Sequence, residues 1–82
     1  MPNSINVTIR KRDGVVFEGD AYAVSSTNEM GPFDILAMHA NFVSTIKEKV
    51  IITGSGGKKT EFKIEYGIIS AKADVIEVFL GV

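Results

Sequence analysis

The sequence predicts an all-β fold, a two-sheet antiparallel β-sandwich of short strands, on three observations. Apolar residues fall at every second position along Ile5–Arg10, Glu61–Tyr66 and Val75–Leu80, the period that a half-buried strand requires. Turn-forming residues recur about every 8–12 positions, the spacing of a sandwich or barrel rather than of strands alternating with helices. The clearest alternation keeps one polar face, as in antiparallel sheets packed face to face. At 82 residues the chain has material for one core, so residues 1–82 are expected to form a single domain.

Each element follows from local chemistry. Ile5, Val7 and Ile9 share one face of a first strand, and Lys11-Arg12-Asp13-Gly14 is a tight turn because Asp-Gly tolerates positive φ. Val15-Val16-Phe17-Glu18 reads as a short second strand that stops at Gly19-Asp20. Ala21 to Ser26 continues extended, with Tyr22 and Val24 on one side, and Ser25 to Pro32 reads as a polar loop. Phe33-Asp34-Ile35-Leu36 is a further brief strand. Ala37 to Lys47 is ambiguous: Phe42, Val43 and Ile46 suit one helical turn, but the β-branched Val43, Thr45 and Ile46 disfavour a full helix. Val50 to Thr53 is a strand, and Gly54-Ser55-Gly56-Gly57 a flexible hairpin loop. Phe62, Ile64 and Tyr66 then face one way, Gly67 interrupts, and Ile68 to Ala71 resumes. Lys72-Ala73-Asp74 turns the chain into a last strand with Ile76, Val78 and Leu80 on one face.

Composition narrows the function. Nine Lys plus Arg against ten Asp plus Glu give a net charge of −1, without the basic excess that nucleic acid or an anionic membrane surface selects. Aromatics are not interleaved with basic residues as a single-strand nucleic-acid platform requires. The chain has no cysteine, which excludes a disulfide scaffold, iron–sulfur clusters and cysteine-based zinc sites. No apolar run reaches the roughly 18 residues of a membrane-spanning helix, and Met1 to Arg10 lacks a signal peptide's apolar centre. No direct membrane insertion, nucleic-acid partner or cofactor is expected. A domain this small is marginally stable, so most Val, Ile, Leu and Phe are expected in the core unless a partner covers some of them.

Few residues could carry chemistry. His39, the single histidine, could act with Asp34 or Glu29 as a general base or metal ligand. It lacks the second nitrogen or cysteine ligands of such sites, so a contact role is the stronger reading. Gly54 to Thr60 resembles a phosphate loop only superficially: Gly57-Lys58 is followed by Lys59, the position five before Gly57 is Ile52, and an alternating strand follows where a helix is needed. Asn6-Val7-Thr8 matches a glycosylation acceptor but lies inside a predicted strand. No carboxylates pair as an acid–base dyad, and no catalytic or metal-binding residues are assigned.

The pattern of residues goes further. Phe17-Glu18-Gly19-Asp20 with Val24, the run from Phe33 through His39 to Lys47, Tyr66-Gly67-Ile68-Ile69 and Ile76-Glu77-Val78-Phe79 resemble the N-terminal β-sandwich domain of the epsilon subunit of rotary F-type ATP synthases. The most specific element is Ile35-Leu36-x-x-His39-Ala40, set against the family's Ile-Leu-Pro-Gly-His-Ala. The chain departs from the family at Ala37-Met38 (Pro-Gly), Asn41 (Pro), Tyr66 (the first Gly of a pair) and Glu48-Lys49 (Pro-Gly of a later turn). Losing Pro and Gly alters turn rigidity but leaves the apolar alternation intact.

The resemblance implies a non-catalytic rotor subunit of the central stalk, binding the gamma subunit along one side and resting its loops on the c-ring. It places Phe33, Asp34, Met38, His39 and Asn41 in the loop that faces the ring, with Pro32 where the family has an acid. It also implies a peripheral location at the cytoplasmic face of the inner membrane. A coupler held between two neighbours is expected to leave one apolar surface strip uncovered, involving Phe33, Met38, Phe42 or Phe79. The sequence ends after its last strand, so the family's inhibitory C-terminal helical hairpin is expected to be absent. A free-standing β-sandwich adaptor is the alternative reading, and exposed strand edges leave homo-oligomerisation open.

Overall fold

The computed structural model describes residues 4–38 and 41–81, and within them the chain forms seven strands and no α-helix. These are β1 (Ile5–Lys11), β2 (Gly14–Ala21), β3 (Ala23–Asn28), β4 (Gly31–Leu36), β5 (Phe42–Thr53), β6 (Lys59–Lys72) and β7 (Val75–Leu80). They hydrogen-bond in the order β2-β1-β7-β6-β5-β3-β4. Every pairing is antiparallel except β1 with β7, which run parallel and join the two ends of the chain.

This one ladder folds over into two layers. Phe17 on β2 lies three strand positions from β6, about 14 Å in a flat sheet, yet its ring centroid is 5.9 Å from that of Phe62. Phe33 and Phe42 would be separated by about 26 Å along flat strands, and their centroids are 5.4 Å apart. The long strands β5 and β6 serve both layers. Residues 67–72 of β6 pair with β7, whereas residues 47–53 of β5 pair with β3.

The corner between layers is irregular in both long strands. On β5, Glu48 and Lys49 have no partner on β3, and Glu48 takes φ 74°. On β6, Glu65 has no partner on β5, because Lys47 pairs with Tyr66 and Glu48 with Ile64. Such a bulge bends a strand and shifts its facing by one residue. Phe62 and Ile64 therefore point inward before it, and Gly67, Ile69 and Ala71 after it. Tyr66, expected on the inner face, is 45% exposed for this reason.

Between the layers lies one apolar core. Ile5, Val7 and Ile9 of β1 and Ile76, Val78 and Leu80 of β7 are buried, as their spacing predicts. Val24, Ile35, Ile46, Val50 and Ile69 come from the other strands, with Phe17, Phe33, Phe42 and Phe62 packed at the margins. No buried side-chain nitrogen or oxygen lacks a partner among the described residues. Buried Ser26, for example, donates its hydroxyl to the Lys49 carbonyl at 2.6 Å across the corner.

Several boundaries differ from the sequence expectation. The segment 25–32 is not a loop: Asn28 pairs with Gly31 in a hairpin whose tip is Glu29-Met30. Asn28 makes this tight turn work, because its Oδ1 accepts the Met30 N–H at 2.8 Å. Pro32 is tolerated because β4 is an edge strand, where a missing donor costs no ladder bond. The ambiguous stretch after residue 41 is β-strand, where Val43, Thr45 and Ile46 fit a pleated surface that pairs with β6. Gly54 to Gly57 is the expected loop, with Gly56 and Gly57 at φ 72° and 79°.

A candidate docking loop at one end of the sandwich

β4 ends at Leu36, β5 begins at Phe42, and the connection between them carries most of the residues that the sequence marked for partner contact. Ala37 is half-buried and Met38 is 84% exposed, with φ 65°. His39 lies outside the described residues. The connection is joined to the β6–β7 hairpin: the Met38 N–H donates to Asp74 Oδ1 at 2.6 Å, and the Ala73 N–H donates to Asn41 Oδ1 at 3.3 Å. Asp74 also ties in β1, since its carbonyl accepts the Asn6 N–H at 2.9 Å.

The five residues marked by sequence are thus divided. Met38 and Asn41 converge on the 72–75 turn. Phe33 and Asp34 are consecutive strand residues and face opposite ways: Phe33 packs inward on Phe42, and Asp34 faces out, accepting the Ser25 hydroxyl at 2.5 Å. Asp34 lines an open groove of about 530 Å³ with Ser25, Pro32, Glu48 and Lys49. Its charges are mixed in sign. No cluster of three or more His, Cys, Asp or Glu suited to a metal ion occurs among the described residues.

Sequence reasoning missed part of this end of the molecule. It read Lys72-Ala73-Asp74 as a turn but did not connect it with the β4–β5 connection. The available signal was an Asp in place of Gly at a hairpin tip, a residue that both tolerates positive φ and offers an acceptor. The expected apolar strip is also displaced. Of the four residues proposed, only Met38 is strongly exposed, while Phe33, Phe42 and Phe79 are half-buried. The outer face of β2-β1-β7-β6-β5, which includes Phe79, carries the exposed Val15, Val43 and Val75. Val15 and Phe79 flank Arg10, the half-buried Ile68 pairs with Phe79, and Val43, 70% exposed, pairs with Ser70 two positions further along β6. Val75, half exposed, extends this surface toward the 72–75 turn.

Residues 4–81 match the family described as the ATP synthase delta/epsilon chain, β-sandwich domain. The chain belongs to that family. Among curated relatives, it is 29% identical over 79 residues to an ATP synthase epsilon chain of Xanthomonas campestris pv. campestris, covering 95% of this chain and 56% of the relative. The epsilon chain of Stenotrophomonas maltophilia is 30% identical over 77 residues, covering 93% and 55%. The chain therefore spans about half the length of the curated relatives it matches. In fold it is similar to a chain of the Euglena gracilis mitochondrial ATP synthase, in a structure of OSCP, F1 and c-ring. There the TM-score is 0.88 at 20% identity, over 98% of this chain and 52% of the other. A central-stalk and c-ring structure of the Tetrahymena thermophila enzyme gives 0.71 at 12%, over 92% and 61%. The family's sandwich thus accounts for nearly the whole chain, and the β4–β5 connection is part of it. No helix among the described residues is long and apolar enough to cross a membrane.

Proposed function

We propose that the chain is a non-catalytic rotor subunit of a proton-translocating ATP synthase, joining the gamma subunit to the c-ring. The observation that carries this reading is that residues 4–81 match the delta/epsilon β-sandwich family and that the curated relatives are epsilon chains. In this reading the loop end carrying Phe33, Asp34, Met38, His39 and Asn41 faces the ring, and the outer apolar face with Val43, Ile68 and Phe79 lies against gamma. Exposed apolar patches mark interaction surfaces, and on this one Arg10 and Glu77 stand between the apolar side chains.

The proposed task is mechanical. Torque passes through a body only if it resists shear, and a closed pair of layers does so through its hydrogen-bonded ladders. The subunit needs no reacting group of its own, and its place is peripheral, at the cytoplasmic face of the membrane. Affinity purification from the source organism tests the reading. Gamma and ring subunits are expected to co-purify, and Val43→Lys is expected to reduce gamma recovery while the chain stays folded. Recovery of unrelated chains only would overturn it. The departures at Ala37-Met38, Asn41 and Glu48-Lys49 favour the second reading, a free-standing adaptor with the family's fold, and the same purification separates the two.

A further inference from the structure

Two loops distant in sequence meet at one end of the sandwich, joined by residues that the turn itself would not select. The β6–β7 hairpin turns through Ala73 and Asp74, at φ 53° and 62°, where Gly is the unstrained choice. Asp74 uses its position twice, its carbonyl accepting the Asn6 N–H and its carboxylate accepting the Met38 N–H. Asn41 answers from the other side by accepting the Ala73 N–H. Each loop satisfies a backbone donor of the other, and the carboxylate bond is of the stronger, charge-assisted kind. Met38 itself sits at φ 65°, a conformation that a non-glycine residue keeps only when its surroundings hold it.

We propose that Asp74 and Asn41 are positioning residues that preset both described ends of the β4–β5 connection in the form its partner binds. The inference rests on the rotor reading, in which that connection faces the ring. An end ordered before docking loses less entropy on binding. Removing the clip therefore weakens docking more than it weakens the fold.

Two substitutions separate these effects. Asp74→Gly deletes the carboxylate while keeping the carbonyl and relieving the positive φ. Asp74→Asn keeps an acceptor oxygen and tolerates the same backbone. The readouts are thermal unfolding, hydrogen exchange at the Met38 amide, and dissociation from the gamma–c-ring complex of the source organism. Asp74→Gly is expected to hold or raise the unfolding midpoint, yet to speed Met38 exchange and dissociation by about tenfold each. Asp74→Asn, which keeps the acceptor but not its charge, is expected to fall between the two and closer to the parent chain. Parent-like exchange in Asp74→Gly overturns the inference, as does faster exchange with unchanged dissociation. Failure of the parent chain to bind overturns the rotor reading, and with it the docking purpose of the clip.

Discussion

Gly67 shows how one missing atom permits adjacent strands to pair closely. A Cβ built there would lie 2.7 Å from the Phe79 carbonyl and 3.1 Å from Leu80 Cδ2. The first contact is with backbone and cannot be relieved by rotating a side chain. Gly67→Ala is therefore expected to cost about 2–3 kcal/mol, read as a lower midpoint in urea denaturation. Glu48 presents the opposite case, a side chain where glycine would serve better. At φ 74° on an exposed corner, Glu48→Gly trades left-handed strain against unfolded-state entropy and should gain about 0.5–1 kcal/mol. Thermal unfolding of the single variant checks this, and a fall in midpoint would show that the corner needs the Glu side chain. Sequence marked both positions, Gly67 as a break in the alternation and Glu48 as a departure from a family Pro, but not their consequences, because the relevant neighbours, Phe79 and the unpaired corner of β5, are set by pairing and not by local composition.

In β6 the decisive feature is the unpaired Glu65. Side chains alternate with a period of two, so one extra residue is what lets Phe62 and Ile64 share the core with Ile69 and Ala71. Deleting Glu65 is expected to drive one half of the strand's apolar residues to the surface and to abolish cooperative unfolding, a loss visible as a featureless thermal melt. The β3–β4 hairpin depends on a smaller device. Asn28 accepts the Met30 N–H and donates its carboxamide to the Ser44 hydroxyl at 3.1 Å, fastening the edge hairpin to β5. Asn28→Ala removes both bonds and should cost about 1–2 kcal/mol, measured by chemical denaturation. An unchanged stability would mean that the hairpin is held by its ladder alone.

Over the whole molecule, cohesion is apolar rather than ionic. Arg10 and Glu77 approach to 4.0 Å with side chains nearly half exposed, a geometry in which an ion pair contributes little. Raising salt from about 0.05 to about 0.5 M is therefore expected to change unfolding free energy by less than about 0.5 kcal/mol. A larger fall would reveal an electrostatic contribution not evident from this pair.

The alternation of Ile5, Val7 and Ile9, of Phe62 and Ile64, and of Ile76, Val78 and Leu80 was enough to specify strands, their inner faces and a layered core. Those properties depend on neighbours two residues apart, which any stretch of chain carries within itself. The family was equally legible, through Ile35-Leu36 and His39-Ala40 and the apolar segments around them. Strand partners were not. The parallel β1–β7 pair, the corner at Glu48 and Glu65, and the meeting of Met38 and Asn41 with Ala73 and Asp74 all join residues distant along the chain. Contacts of that kind arise only when the ladder folds over, so the joining of the β4–β5 connection to the β6–β7 hairpin became visible in three dimensions and not before.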